Sequence, residues 1–252
     1  MKKLATVAFV ASVASAGLAK ADTVYDDAFA RIGTLTGTNP APIDTPIASW
    51  TANTSITTTG SGAFVSGLQE GYLPLDISTP GTYTLTATVT PNTNGTDTSD
   101  WLALGFSNSM TTSGTFWDAA TPAVWVGYRE NGGVFGFTNG LTTAQTNTST
   151  MTTSPGTSDT FTISVDTIDD SYTVSDSLGI FSSSGTTSSI ADITGIAIGA
   201  HMSATGIFSD LTVTNPVPEP ASLGVIGLSV LAMLRRRARL SLRILDCSTA
   251  PR

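Results

Sequence analysis

The sequence is short of the residues that carry most protein chemistry. Of 252 residues, one is cysteine (Cys247) and one is histidine (His201). A single thiol cannot form an internal disulfide, and one cysteine with one histidine cannot supply a four-ligand zinc site. A Ser-His-Asp site would rest on His201 alone. That side chain reads as a polar residue on a partly exposed strand face rather than as a general base. Positive charge is scarce as well. Between Asp22 and Pro220 the only basic residues are Arg31 and Arg129, against eighteen carboxylates, a net charge of −16. The whole-chain value of −8 conceals this, because the other cations sit in the two terminal segments. Such a body repels phosphate, which excludes nucleic acid as its partner. The same segment holds three glutamates, Glu70, Glu130 and Glu219. None is accompanied on its strand by the second carboxylate that glycoside hydrolysis needs. Asp166, Asp169 and Asp170 cluster where a hairpin turn is expected, and aspartate is favoured there for local backbone bonding.

What is present first is a pair of end segments. Met1, Lys2 and Lys3 form a positive start, Leu4 to Leu18 is apolar or small, and Ala19-Lys20-Ala21 is small-x-small. This order predicts a secretory signal helix over 1–21, cut after Ala21 to leave Asp22 first. Near the other end, Pro218, Glu219 and Pro220 hold the chain extended and exposed. Fourteen uncharged residues follow, Ala221 to Leu234, then Arg235, Arg236 and Arg237. As a helix the run reaches about 21 Å, short of a bilayer core of about 30 Å. The arginines would stay on the cytoplasmic side. Segment 215–237 resembles the PEP-CTERM sorting signal of exported bacterial proteins. The resemblance implies transient lodging of residues 221–237 in the membrane and cutting at Pro218-Glu219-Pro220 by an exosortase-type enzyme. Residues 238–252 depart from that pattern. They read as a basic amphipathic helix on the inner leaflet or as an accident of the reading frame.

The segment 22–214 is rich in Ser, Thr, Gly and Asn, yet its apolar residues recur with period two. Tyr83, Leu85, Ala87 and Val89 alternate with threonines, which predicts a half-buried strand. Trp101 to Phe106 is nearly all apolar and is expected to be covered on both faces. Ala123–Arg129 and Val134–Phe137 form a hairpin across Asn131-Gly132. Further strands are expected over Val24–Ile32, Ile47–Ala52, Gly62–Val65, Gly71–Leu75, Phe161–Val165, Tyr172–Val174, Gly179–Phe181, Ile196–Ala200 and Ile207–Val213. Leu141–Ser158 reads as a mobile loop, and Gly185–Asp192 as a loop with room for one helical turn. About a dozen short strands with no helical period make an antiparallel β-sandwich whose last strand lies beside its first. The runs Tyr83–Ala87, Trp101–Phe106, Phe161–Asp166 with Tyr172–Val174, and Gly206–Leu211 resemble a concanavalin A-like jelly roll of the laminin-G type. That family includes lectins, polysaccharide lyases, glucanases and adhesive modules. The expected fold is therefore all-β, a jelly roll flanked by a signal helix and a C-terminal hydrophobic helix.

Two constellations stand out in this body. Trp125 and Arg129 share a strand face if Val124, Val126 and Tyr128 point to the core, and Trp117 with Asp118 lies on the preceding loop. Flat aromatics beside polar groups suit the faces and hydroxyls of sugars. The structural alternative is that Trp125 fills the core between the sheets and Arg129 makes an ion pair. Asn92, Asn94, Asp97 and Asp100 form an oxygen-rich loop without EF-hand order. It reads as a solvated turn, with one weak calcium site as the alternative. The expected function is an exported, non-catalytic surface or matrix protein that binds extracellular polysaccharide. A secreted carbohydrate-active enzyme of the same fold, and a purely structural matrix component carrying glycans on its hydroxyls, are the alternatives.

Overall fold

The computed structural model describes residues 22–42, 48–53, 55–92, 100–108, 122–138, 147–148 and 153–215. Both end segments, including Ala19, Ala21, Pro218, Glu219, Pro220 and Arg235 to Arg237, lie outside them, as do Asn94, Asp97, Trp117 and Asp118. In chain order the strands are β1 (Thr23–Asp27), β2 (Ile32–Thr34), β3 (Ala41–Pro42), β4 (Thr51–Ala52), β5 (Thr57–Thr59), β6 (Ala63–Ser66), β7 (Gln69–Pro74) and β8 (Thr82–Pro91). Then follow β9 (Trp101–Ser107), β10 (Pro122–Arg129), β11 (Val134–Thr138), β12 (Asn147–Thr148), β13 (Asp159–Asp166), β14 (Ser171–Asp176) and β15 (Ser182–Thr186). A 3₁₀ turn, Ser188–Asp192, leads to β16 (Gly195–His201) and β17 (Thr205–Thr214).

The strands form two antiparallel sheets. The ten-stranded sheet runs β15-β14-β13-β8-β17-β6-β5-β2, with β1 also on β17 and β3 on β1. The seven-stranded sheet runs β12-β11-β10-β9-β16-β7-β4. First and last strands pair as expected, and the Asn215 N–H donates to the Asp22 carbonyl at 2.9 Å. The period-two alternation decides which side chains face the core. Tyr83, Leu85, Ala87 and Val89 from β8 meet Leu102, Leu104 and Phe106 from β9 and Val124, Val126 and Tyr128 from β10 in one buried cluster. Burying each such large side chain contributes about 2 kcal/mol.

Several sequence expectations need correction. The first strand ends at Asp27 instead of Ile32. Phe29 adopts φ +50 and its N–H donates to Asp27 Oδ1, so the chain turns and Ile32 emerges 86% exposed on a separate strand. The expected strand Gly179–Phe181 is a turn, because the Ile180 and Phe181 N–H groups donate to the Asp176 carboxylate; the strand starts at Ser182. Leu141–Ser158 is not loop throughout, since Asn147–Thr148 pairs with Gly136 and Phe135. In β17 the inward positions run Gly206, Phe208, then Leu211, Val213. The extra residue is a bulge at Asp210 (φ +52), without which Leu211 would face solvent. The β10–β11 hairpin closes through residues 130–133, with Gly132 at φ +86 and Asn131 Oδ1 accepting from the Gly133 N–H. The aspartates of the β13–β14 turn serve the backbone, Asp166 accepting from Ile168 and Asp169 from Ser171.

One buried carboxylate organises the turn after β1. Asp27 is 2% exposed and accepts from the Phe29 N–H, from both terminal nitrogens of Arg31 (2.9 and 2.7 Å) and from Trp50 Nε1 (2.8 Å). Removing a buried acceptor leaves its donors dry and unpaired. Asp27→Ala is expected to lower unfolding stability by about 3 to 5 kcal/mol, read as the midpoint in urea. Asp27→Asn, which keeps one acceptor oxygen, should lose less. Equal midpoints for all three proteins would contradict this role.

Candidate ligand face on the seven-stranded sheet

The strands at the centre of the seven-stranded sheet are buried on both sides. Their inward residues belong to the core between the sheets. On the other face Trp101, Ala103, Trp125, Phe135 and Ala197 form a second buried cluster. The register explains how it is built. Arg129, Trp101 and His201 are cross-strand neighbours in one row on β10, β9 and β16. The next row is Phe135, Gly127, Ala103 and Gly199, and the one after is Trp125, Gly105 and Ala197. Small residues thus alternate with rings, so Trp125 and Phe135 each lie beside a glycine. A Cβ on Gly105 would stand 2.3 Å from Trp125 Cβ, and one on Gly127 would stand 2.2 Å from Phe135 Cζ.

The rings contact one another closely. Trp101 stacks on Trp125 with centroids 5.2 Å apart and 25° between planes. It also stacks on His201 at 4.6 Å and 18°. Phe135 meets both tryptophans edge-on, at 5.2 and 5.9 Å. The Arg129 guanidinium carbon sits 4.8 Å from the Phe135 centroid, a cation over an aromatic face. Trp125 is fully buried, whereas Arg129 and His201 are partly exposed. Trp125 and Arg129 therefore do share a face, and Trp125 stands apart from the inter-sheet core. Trp125 itself is not presented to a sugar, and the groups open to solvent are Arg129 and His201. The sequence reading overlooked Trp101 and Phe135 as members of this plate. The signal was available in the unbroken apolar run from Trp101, which requires cover on its second face.

Asp100 and Asn92 lie beside the β16–β17 turn. Asp100 Oδ2 accepts from Ser203 Oγ at 2.6 Å and Oδ1 from the Ser203 N–H at 3.4 Å, while the Asn92 N–H donates to the Thr205 carbonyl. Glu130 Oε1 accepts from the Thr205 N–H at 2.9 Å. These contacts tie the turn to the end of the sheet. Among the described residues, no group of three or more His, Cys, Asp or Glu is placed to hold a metal ion.

A pair of carboxylates does occur, under the sheet rather than on it. Asp159 opens β13 facing inward, 1% exposed, with Oδ1 accepting from Ser177 Oγ (2.8 Å) and N–H (3.1 Å). Burial pushes its carboxyl up to about 6; the Ser177 hydroxyl pulls it down, and Asp176 nearby adds to the rise. Close by, Tyr128 is raised by burial, its hydroxyl donating to the Thr157 carbonyl and pairing with Thr153 Oγ1. So placed, the Asp159 carboxyl is buried away from solvent.

Residues 216–238 match the PEP-CTERM protein-sorting motif. The chain carries that motif, and proteins bearing it are exported, sorted to the cell surface and processed by an exosortase. No curated protein matches the sequence. Among solved structures, the sandwich is similar to the carbohydrate recognition domain of Emp47p, at 11% identity and TM-score 0.49, over 79% of this chain and 100% of that one. It is also similar to lectin II from Ulex europaeus, at 12% identity and TM-score 0.48, over 71% and 95%. A family 7 alginate lyase is similar at 15% identity and TM-score 0.43, over 78% and 93%.

The Asp159 proton makes stability pH-dependent in a known direction. Between about 4 and about 6, the folded chain holds a proton that the unfolded chain, titrating near 3.8, has released. Stability therefore falls as pH rises through that window. A strongly acidic body also loosens as pH rises, so the informative quantity is parent minus Asp159→Asn. That difference in Tm, parent minus variant, should fall from pH 4 to pH 7. A constant difference would show that Asp159 does not hold the proton.

Proposed function

We propose that this chain is an exported, non-catalytic protein of the cell surface or extracellular matrix. Its signal helix is removed after Ala21, and residues 221–237 lodge in the inner membrane until an exosortase cuts at Pro218-Glu219-Pro220. The observation that carries the reading is the sorting motif at 216–238, following directly on a sandwich whose final strand ends at Thr214. The released body would carry a charge near −16 and no apolar end, which suits solubility outside the cell. It is a jelly roll of the concanavalin A-like kind, and it binds extracellular polysaccharide at the outer face of the seven-stranded sheet. Arg129 and His201 make the polar contacts there, each seated on a ring that fixes its orientation. Arg129 lies over the Phe135 ring and is partly exposed, which leaves its guanidinium edge to a ligand.

The test uses the full chain in an exosortase-bearing host. Replacing Pro218, Glu219 and Pro220 with alanines should leave export intact, with Asp22 still the first residue, while the uncut form accumulates at the inner membrane. In parallel, Arg129→Ala should weaken retention on the host's own surface polysaccharide by about tenfold, with the parent's β-sheet circular dichroism retained. Processing of the triple-alanine variant like the parent would overturn the sorting reading. Unchanged retention of Arg129→Ala would overturn the binding reading.

A further inference from the structure

The opposite outer face, on the ten-stranded sheet, is a lattice of hydroxyls. Registers place Thr212, Thr86, Thr162, Ser175 and Ser182 in one row across β17, β8, β13, β14 and β15. On β8, β13, β14 and β15 the outward positions flanking the row are Ser or Thr too, whereas β17 also presents Ile207 and Asp210; several hydroxyls pair sideways. Thr84 Oγ1 lies 2.9 Å from Ser164 Oγ, Thr88 Oγ1 lies 2.8 Å from Thr160 Oγ1, and Thr90 Oγ1 lies 2.8 Å from Ser158 Oγ. Such lateral bonds fix the rotamers. They also leave, in each pair, one O–H and several lone pairs directed elsewhere. Rows repeat about every 6.8 Å along a strand and about 4.8 Å between strands.

No charged side chain interrupts that row in a body that carries eighteen carboxylates. Asp26, Asp166 and Asp210 flank the array, beside Thr212, Thr82 and Ser209. We propose that this face docks an extended, uncharged polysaccharide. Charge decides the partner. A polyanion is repelled by the body and by the marginal aspartates, and a cationic partner finds no carboxylate within the row. A neutral polyol matches hydroxyls that both donate and accept. Docking here is separate from the Arg129 face. With both faces occupied, one chain would bridge two polysaccharide strands, which is cross-linking rather than simple attachment.

The test is depletion of the full-length protein onto microcrystalline cellulose as the neutral probe. The combined variant Thr86→Val, Thr88→Val, Thr160→Val and Thr162→Val keeps the β-branched shape and removes four hydroxyls. It should be retained at least about tenfold more weakly than the parent. Serine at the same four positions restores the hydroxyls and should restore retention. A single Thr162→Asp, placing a charge in the middle of the row, should cause a comparable loss without depending on the fold of the quadruple variant. Retention of the valine and aspartate variants equal to the parent would overturn the proposal, as would no retention of the parent. Partitioning of the parent into ice instead of onto cellulose would also overturn it. Loss seen only with Arg129→Ala would overturn it while leaving the Arg129 face as the binding site.

Discussion

A sheet that is apolar on both faces must be covered on both, and that constraint shapes this sandwich. Strands β9, β10 and β16 bury every residue except Arg129 and His201 among those whose side chains are described. Their inward side chains fill the space between the sheets. Their outward rings alternate in register with small residues, Gly105 beside Trp125 and Gly127 beside Phe135. The partly exposed cation and imidazole at the edge of this plate owe their positions to it, Arg129 through Phe135 and His201 through Trp101. The candidate ligand face is thus a consequence of packing on the sheet.

Much of this was legible in the sequence, for definable reasons. Strand β8 announces itself because Tyr83, Leu85, Ala87 and Val89 alternate with threonine, and burial follows the same alternation. The run from Trp101 to Phe106 announces two-sided cover, and all of it is buried. Strand β15 could not be read, because Ser182 to Thr186 contains no apolar residue and its conformation is set by pairing with β14. The end of β1 was missed because Phe29 is not a residue type that signals positive φ; the Asp27 carboxylate that holds the turn has partners up to twenty-three positions away. Likewise the bulge at Asp210 is visible only once Phe208 and Leu211 are seen on one face. Of the candidate site, the shared face of Trp125 and Arg129 followed from alternation. The stack of Trp101 on His201 depends on registers between strands far apart in sequence.

Charge and topology divide the labour along the chain. Nine of the eleven Lys and Arg residues lie in the terminal segments, whereas the body keeps only Arg31 and Arg129. Arg31 is spent on Asp27, at 2.7 Å, and Arg129 is left at the rim of the aromatic plate. The pairing of β1 with β17 brings Asp22 and Asn215 together. The body thus begins and ends at one place, just before the sorting motif. No strand pair described for either sheet involves a residue of the end segments.

The second aromatic cluster is packed directly on small residues of the neighbouring strands. Thermal unfolding of the full chain carrying Gly105→Ala, followed by tryptophan fluorescence, tests it most directly. The added methyl would fall 2.5 Å from the Val124 carbonyl oxygen and 2.3 Å from Trp125 Cβ, and neither backbone nor ring root can yield easily. Overpacking of this kind costs about 1 to 3 kcal/mol. The account predicts a Tm lower by roughly 5 °C and an altered emission maximum in the folded state. A variant that melts and emits like the parent would contradict it.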